Sequence, residues 1–122
     1  MGATIERGEG NLRVLRITGL LRKSELDAAL ATEARQWGPT TRVKVLVIVE
    51  NFKSWERGAD WGDMTFFETH GDQIDKIAIV ADPQLETDLL MFAGAGFRRA
   101  PVKFFSWNQL APAQAWLGEK SP

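Results

Sequence analysis

The sequence predicts an α/β domain of alternating strands and helices, and three observations carry that expectation. Short, apolar, β-branched runs alternate with segments of helical spacing in the order ββαβαβαβα. The run Val43–Glu50, VKVLVIVE, is apolar on both faces, the pattern of a strand at the centre of a covered sheet. Strand–helix–strand alternation at this spacing implies parallel strands with right-handed crossovers, after an initial antiparallel hairpin.

Taken in order, Thr4–Arg7 is a weak first strand, and Gly8, Gly10 and Asn11 supply a hairpin turn. Leu12–Thr18 follows, with Leu12, Val14 and Arg16 on one side and Arg13, Leu15 and Ile17 on the other. Ser24 reads as the N-cap of the first helix, with Asp27 three residues on. Leu26, Leu30, Ala34 and Trp37 share a helical face until Gly38-Pro39 stops it. In the central strand Val43, Val45, Val47 and Val49 face one way, Leu46 and Ile48 the other. Trp61, Met64 and Phe67 place a second helix over about Arg57–His70. Ile77–Ala81 and Val102–Phe105 read as further buried strands. Between them Asp82-Pro83 is an N-cap with proline at the first helical position, and Leu85, Leu89 and Phe92 form the apolar stripe. A last helix near Pro112–Leu117 is expected to pack Trp116 and Leu117 onto the sheet. The two-sided apolar runs require either helices on both faces of the sheet or a face shared in a homodimer.

At 122 residues the chain is expected to form a single domain, residues 1–122, able to bury a core without disulfides. The absence of cysteine removes thiolate chemistry and cysteine-ligated metals, and it fits a cytoplasmic setting. Fifteen basic and sixteen acidic residues, interleaved along the chain, give no electrostatic footprint for nucleic acid. No apolar run approaches the roughly 20 residues of a membrane span, and residues 1–10 lack the apolar centre of a signal peptide.

The chemistry-bearing residues form no catalytic motif. Gly94-Ala95-Gly96 follows a helix instead of a strand, so it reads as a C-cap and not a phosphate cradle. His70, the one histidine, sits at an expected helix C-terminus, where the dipole favours it without catalysis. Glu56, Asp60 and Asp63 share a face that suits a hard cation, but acidic residues there ordinarily serve the helix dipole and solubility. Ser54 lacks the glycines of a nucleophile elbow. Neither a cofactor nor a metal is expected. The aromatic cluster after the central strand is more informative: Phe52, Trp55, Trp61, Phe66 and Phe67 crowd one segment. Open α/β sheets bind ligands beyond the carboxyl ends of their strands, where this segment begins.

The stretch Phe52–Phe66, FKSWERGADWGDMTF, resembles the SpoIIAA-like group of small bacterial proteins, relatives of the STAS (anti-sigma-factor antagonist) domains. The likeness extends to KIAIVAD at Lys76–Asp82, APVKFF at Ala100–Phe105 and the closing pattern Ala113–Leu117, and Trp55, Ala59, Trp61 and Asp63 are its most specific part. It implies a mixed five-stranded sheet, first strand antiparallel, with four helices in a β-α superhelix shared with CRAL-TRIO lipid-binding domains. It implies no established enzyme activity. STAS regulators present a phosphorylatable serine or threonine, usually in an Asp-Ser-Gly type motif, at the start of the helix after the central strand. The matching turn here, Ser54-Trp55-Glu56-Arg57-Gly58, has no Asp-Ser pair and places acidic Glu56 and Asp60 nearby, so a phosphoserine switch is not expected.

Three functions follow as expectations. The first is a non-catalytic regulatory or protein-interaction module using Phe52, Trp55, Trp61, Asp63, Phe66 and Phe67. The second is a binder or carrier of a small apolar or lipid-like ligand at the same cluster. The third is an enzyme using Asp60, Asp63 or His70.

Overall fold

The computed structural model describes residues 2–8, 10–58, 70–92 and 101–118. Strands β1 (Ala3–Arg7) and β2 (Leu12–Leu21) form the expected antiparallel hairpin, closed by Gly10 at φ +61°. Helix α1 (Lys23–Ala34) leads into β3 (Val43–Trp55), and β4 (Ile74–Ala81) follows. A 3-10 turn at Pro83–Leu85 opens α2 (Glu86–Phe92), and β5 (Val102–Ser106) and α3 (Leu110–Gly118) complete the order. The strands lie in sequence order β1-β2-β3-β4-β5, with β2 to β5 mutually parallel. The described residues contain three α-helices; the helix expected over about Arg57–His70 lies almost wholly outside them.

Side-chain alternation sorts the core into two layers, one on each face of the sheet. Leu15, Ile17, Val43, Val47, Val49, Ile77 and Ile79 face α1 and α2, where Leu26 and Leu89 close over them. Leu46, Ile48, Ala78, Val80 and Phe105 face α3, which contributes Ala113 and Leu117. The two-sided apolar character of β3 and β4 is thus met by helices on both faces. Burying a side chain such as Leu46, Ile79 or Leu89 stabilises by about 1.5–3 kcal/mol, which makes β3 and β4 the spine of the domain.

The start of α1 differs from expectation. Ser24 is not the N-cap; Arg22 occupies that position and makes no side-chain cap. The amide of Lys23 instead donates to the Glu56 carboxylate at 3.1 Å, so a residue 33 positions away caps the helix. At α2 the reading holds: the Asp82 carboxylate accepts from the Gln84 amide at 2.9 Å, with Pro83 inside the turn.

Strands β2 and β3 also run further than expected, past Thr18 and Glu50. Gly19 at φ +63° and Asn51 at φ +51° look like strand ends, because few residues tolerate the left-handed region. They form a bulge instead. Glu50 pairs with Thr18 and Phe52 with Gly19, leaving Asn51 extra; Ser54 then pairs with Leu20, leaving Lys53 extra. Both strands bend together here, and pairing resumes to Trp55.

Candidate functional site at the carboxyl ends of the strands

Because β2 to β5 are parallel, their carboxyl ends share one edge of the sheet. That edge holds Leu20 and Leu21 of β2, Phe52–Trp55 of β3, Ala81 of β4 and Ser106 of β5. The bulge decides how the aromatic residues sit there. In a regular strand, residues 52 and 55 would point to opposite faces. With the extra residues in place, Phe52 and Trp55 both pack against the α1-side core, their rings edge to face at 5.3 Å. Each is half-buried, so they form a partly covered aromatic step at the end of the central strand. Of the other residues expected to join them, Trp61, Asp63, Phe66 and Phe67 lie outside the described residues, as does Asp60.

The remaining candidates have structural partners. Ser54 is an exposed residue paired into the sheet beside Leu20 and not a loop nucleophile. Glu56 caps α1. His70 lies across Trp37, ring centroids 5.7 Å apart, with Nδ1 3.2 Å from the Gln73 amide oxygen. Gln73 in turn donates to the carbonyls of Gly38 and Thr41, at the amino ends of the strands. His70 therefore belongs to the end opposite the aromatic step. Among the described residues no group of three or more His, Asp or Glu side chains is placed to hold a metal ion.

Charged side chains in the interior were not legible from spacing. Glu33, 7% exposed, accepts from Arg13 Nε at 2.7 Å and from Trp37 Nε1 at 2.8 Å. Lys76, 4% exposed, donates to the Trp116 carbonyl at 3.0 Å and lies 5.0 Å from the centre of that indole ring. A cation against the last turn of α3 suits the negative end of its dipole. The Arg42 guanidinium, hydrogen-bonded to Asp75 at 2.7 Å, has its pKa raised by that bond and by the carboxylate's charge. It too lies at the amino ends of the strands.

A further apolar feature was missed by sequence reasoning. Trp107, 69% exposed, stands in the turn between β5 and α3, with Leu110 (38%) one helical turn on. The turn itself is tied: the Ser106 amide donates to Gln109 Oε1, the Gln109 amide to the Ser106 carbonyl, both at 2.9 Å, and Ser106 Oγ bonds Asn108. The indole is therefore presented outward on a held loop. Its signal was available as a tryptophan in the polar run Ser106–Gln109, directly after a strand.

A family model described as SpoIIAA-like matches residues 12–118. The chain belongs to the SpoIIAA-like family. The expectation drawn from the Phe52–Phe66 stretch is thereby met. The sheet agrees with it: five strands, the first antiparallel. Among solved structures, the SpoIIAA-like chain is similar to an uncharacterised protein of the DUF3478 family with a SpoIIAA-like fold, from Shewanella loihica PV-4, determined at 2.25 Å resolution. The TM-score is 0.69 at 22% identity, covering 95% of this chain and 92% of that one, a likeness of fold. No curated protein matches the sequence. No helix among the described residues of this SpoIIAA-like chain is long and apolar enough to cross a membrane.

Proposed function

We propose that this SpoIIAA-like chain is a non-catalytic, cytoplasmic interaction module that holds a protein partner at the carboxyl edge of its sheet. The observation that carries the reading is Trp107, a tryptophan 69% exposed on a turn fixed by its own hydrogen bonds. Exposed tryptophan on a rigid support is the usual form of an energetic anchor at a protein interface. Leu110 extends the same surface, and the half-buried Phe52–Trp55 pair adds an aromatic step on the same edge of the sheet. The interior charges support the reading as well. Glu33 and Lys76 are each bonded into the framework, which leaves them fixed in place.

A second reading, binding of a small apolar ligand, is favoured by the Phe52–Trp55 pair alone. Native mass spectrometry of gently purified protein separates the two, with Trp107→Ala run alongside. The expected result is a protein partner carried by the wild type and lost from the variant at unchanged urea midpoint. A small molecule of reproducible mass on both would replace the first reading with the second. A bare chain in both preparations would refute the proposed contact.

A further inference from the structure

Among the described residues β1 is an edge strand, paired with β2 on one side. In the β1–β2 hairpin the Thr18 amide donates to the Gly2 carbonyl at 3.0 Å and the Gly8 amide to the Leu12 carbonyl at 2.9 Å. With Ala3 opposite Ile17 and Arg7 opposite Arg13, residues 4 and 6 aim their backbone groups at β2. Ala3, Ile5 and Arg7 therefore direct their amides and carbonyls away from the sheet, along an edge that no other described strand pairs with. Beside that edge runs a groove of about 680 Å³ between β1 and α1, lined by Ala3 and Ile5 on one side and by Glu25, Ala28, Ala29 and Thr32 on the other. Glu25 closes one end, its carboxylate accepting from the Gly2 amide at 2.6 Å; at the other end Arg7 donates to Gln36.

We propose that this edge joins a second copy of the chain, β1 against β1 antiparallel, centred on Ile5, giving one sheet continuous across two molecules. The strand selects that partner and that register. A pairing centred on Ile5 matches all five residues of β1: Ile5 with Ile5, Ala3 with Arg7 and Thr4 with Glu6. It lets Ala3, Ile5 and Arg7 each exchange both outward backbone bonds with their opposites. Centring on Glu6 instead would set Glu6 against Glu6, and centring on Arg7 would set Arg7 against Arg7, both unfavourable. In the Ile5 register the partner's Arg7 comes opposite Ala3, at the end of the groove that Glu25 occupies, so each molecule's cation meets the other's carboxylate. The two Ile5 side chains meet on the α1 side, where Ala28 and Ala29 leave room. This edge lies across the sheet from β5, so the contact neither uses nor blocks Trp107.

Light scattering after size exclusion, and amide hydrogen exchange, both across a dilution series, test the proposal on the full chain. Dimer is expected to form with rising concentration, with the Ala3, Ile5 and Arg7 amides protected only then. Ile5→Pro removes an outward amide and no β1–β2 bond, and is expected to leave monomer. Arg7→Glu is expected to raise the dimer dissociation constant about tenfold or more by opposing Glu25, and Arg7→Glu with Glu25→Arg to restore it. A wild type that stays monomeric to about 100 µM, where weak specific contacts form, overturns the proposal. So does a dimer indifferent to Arg7→Glu, or one that the charge exchange fails to restore. A foreign peptide or an apolar small molecule held at this edge on monomeric chain overturns it as well.

Discussion

Replacing Glu33 by alanine tests the interior of the domain at its most exacting point. The Glu33 carboxylate serves Arg13 at 2.7 Å and the Trp37 indole at 2.8 Å, and the two charged side chains are 9% and 11% exposed. Among the described residues, alanine leaves the guanidinium with the Leu12 carbonyl, 3.0 Å from Nη1, and removes a carboxylate acceptor from the indole. Removing one member of a buried pair costs about 3–5 kcal/mol, most of it the uncompensated charge. Against a typical stability of about 5–15 kcal/mol, that is a large fraction. The pair itself is a different quantity. Arg13→Met combined with Glu33→Leu removes both charges, and is expected to recover most of the loss, since an apolar replacement of a buried pair is often neutral or better. Urea denaturation of wild type, Arg13→Met, Glu33→Leu and the double variant measures this as a cycle, with Glu33→Ala run beside it. A loss below about 1 kcal/mol for Glu33→Ala, the level of an exposed pair, would refute the argument that this pair is desolvated. So would a double variant as unstable as the sum of its singles.

Two further outcomes follow from the same reasoning. Lys76→Ala deprives the Trp116 carbonyl of its donor; a loss of about 1–3 kcal/mol is expected, with faster amide exchange through Leu110–Gly118, and unaltered exchange there would contradict the capping role. Gly19→Ala meets no atom within 4 Å, so its cost is that of φ +63° alone, about 1–2 kcal/mol, and Gly19→Asn is expected to lose less; equal losses on thermal denaturation would show that the cost is steric.

The period-two alternation of β2 and β3 makes the two core layers readable from the residues alone. Val43, Val47 and Val49 lie on one face, Leu46 and Ile48 on the other, as their positions dictate. Asp82-Pro83 was equally clear, because a local cap needs only adjacent residues. What sequence reading lost depends on partners distant along the chain. Glu56 capping α1 spans 33 positions and has no signature in either segment. The bulge at Gly19 and Asn51 used residues that equally well end a strand, and only the continued pairing to Trp55 distinguishes the two. Of the expected aromatic site, Phe52 and Trp55 come together because of that bulge, a consequence that regular alternation would have denied. Density of aromatics does not single out Trp107, which stands alone in the polar run Ser106–Gln109; an exposed anchor is best marked by such polar neighbours.

The size of the effect expected at Trp107 follows from its exposure. A tryptophan side chain carries about 250 Å² of surface available for burial. With 69% of the residue exposed, roughly 170 Å² remain for a partner to cover, worth about 4 kcal/mol at 25 cal/mol per Å². Ordering the partner offsets part of that, so an anchor contribution of about 2 kcal/mol is the sounder expectation. Trp107→Ala should then weaken the complex about thirtyfold, since 1.4 kcal/mol corresponds to tenfold. Stability should move by less than about 0.5 kcal/mol, because the side chain takes little part in the core and Ser106–Gln109 keeps its own bonds. Titration calorimetry with the captured partner and urea denaturation of the variant read the two quantities separately. An indole that mattered to the fold and not to binding would show the reverse pattern, with a large loss of stability and an unchanged dissociation constant.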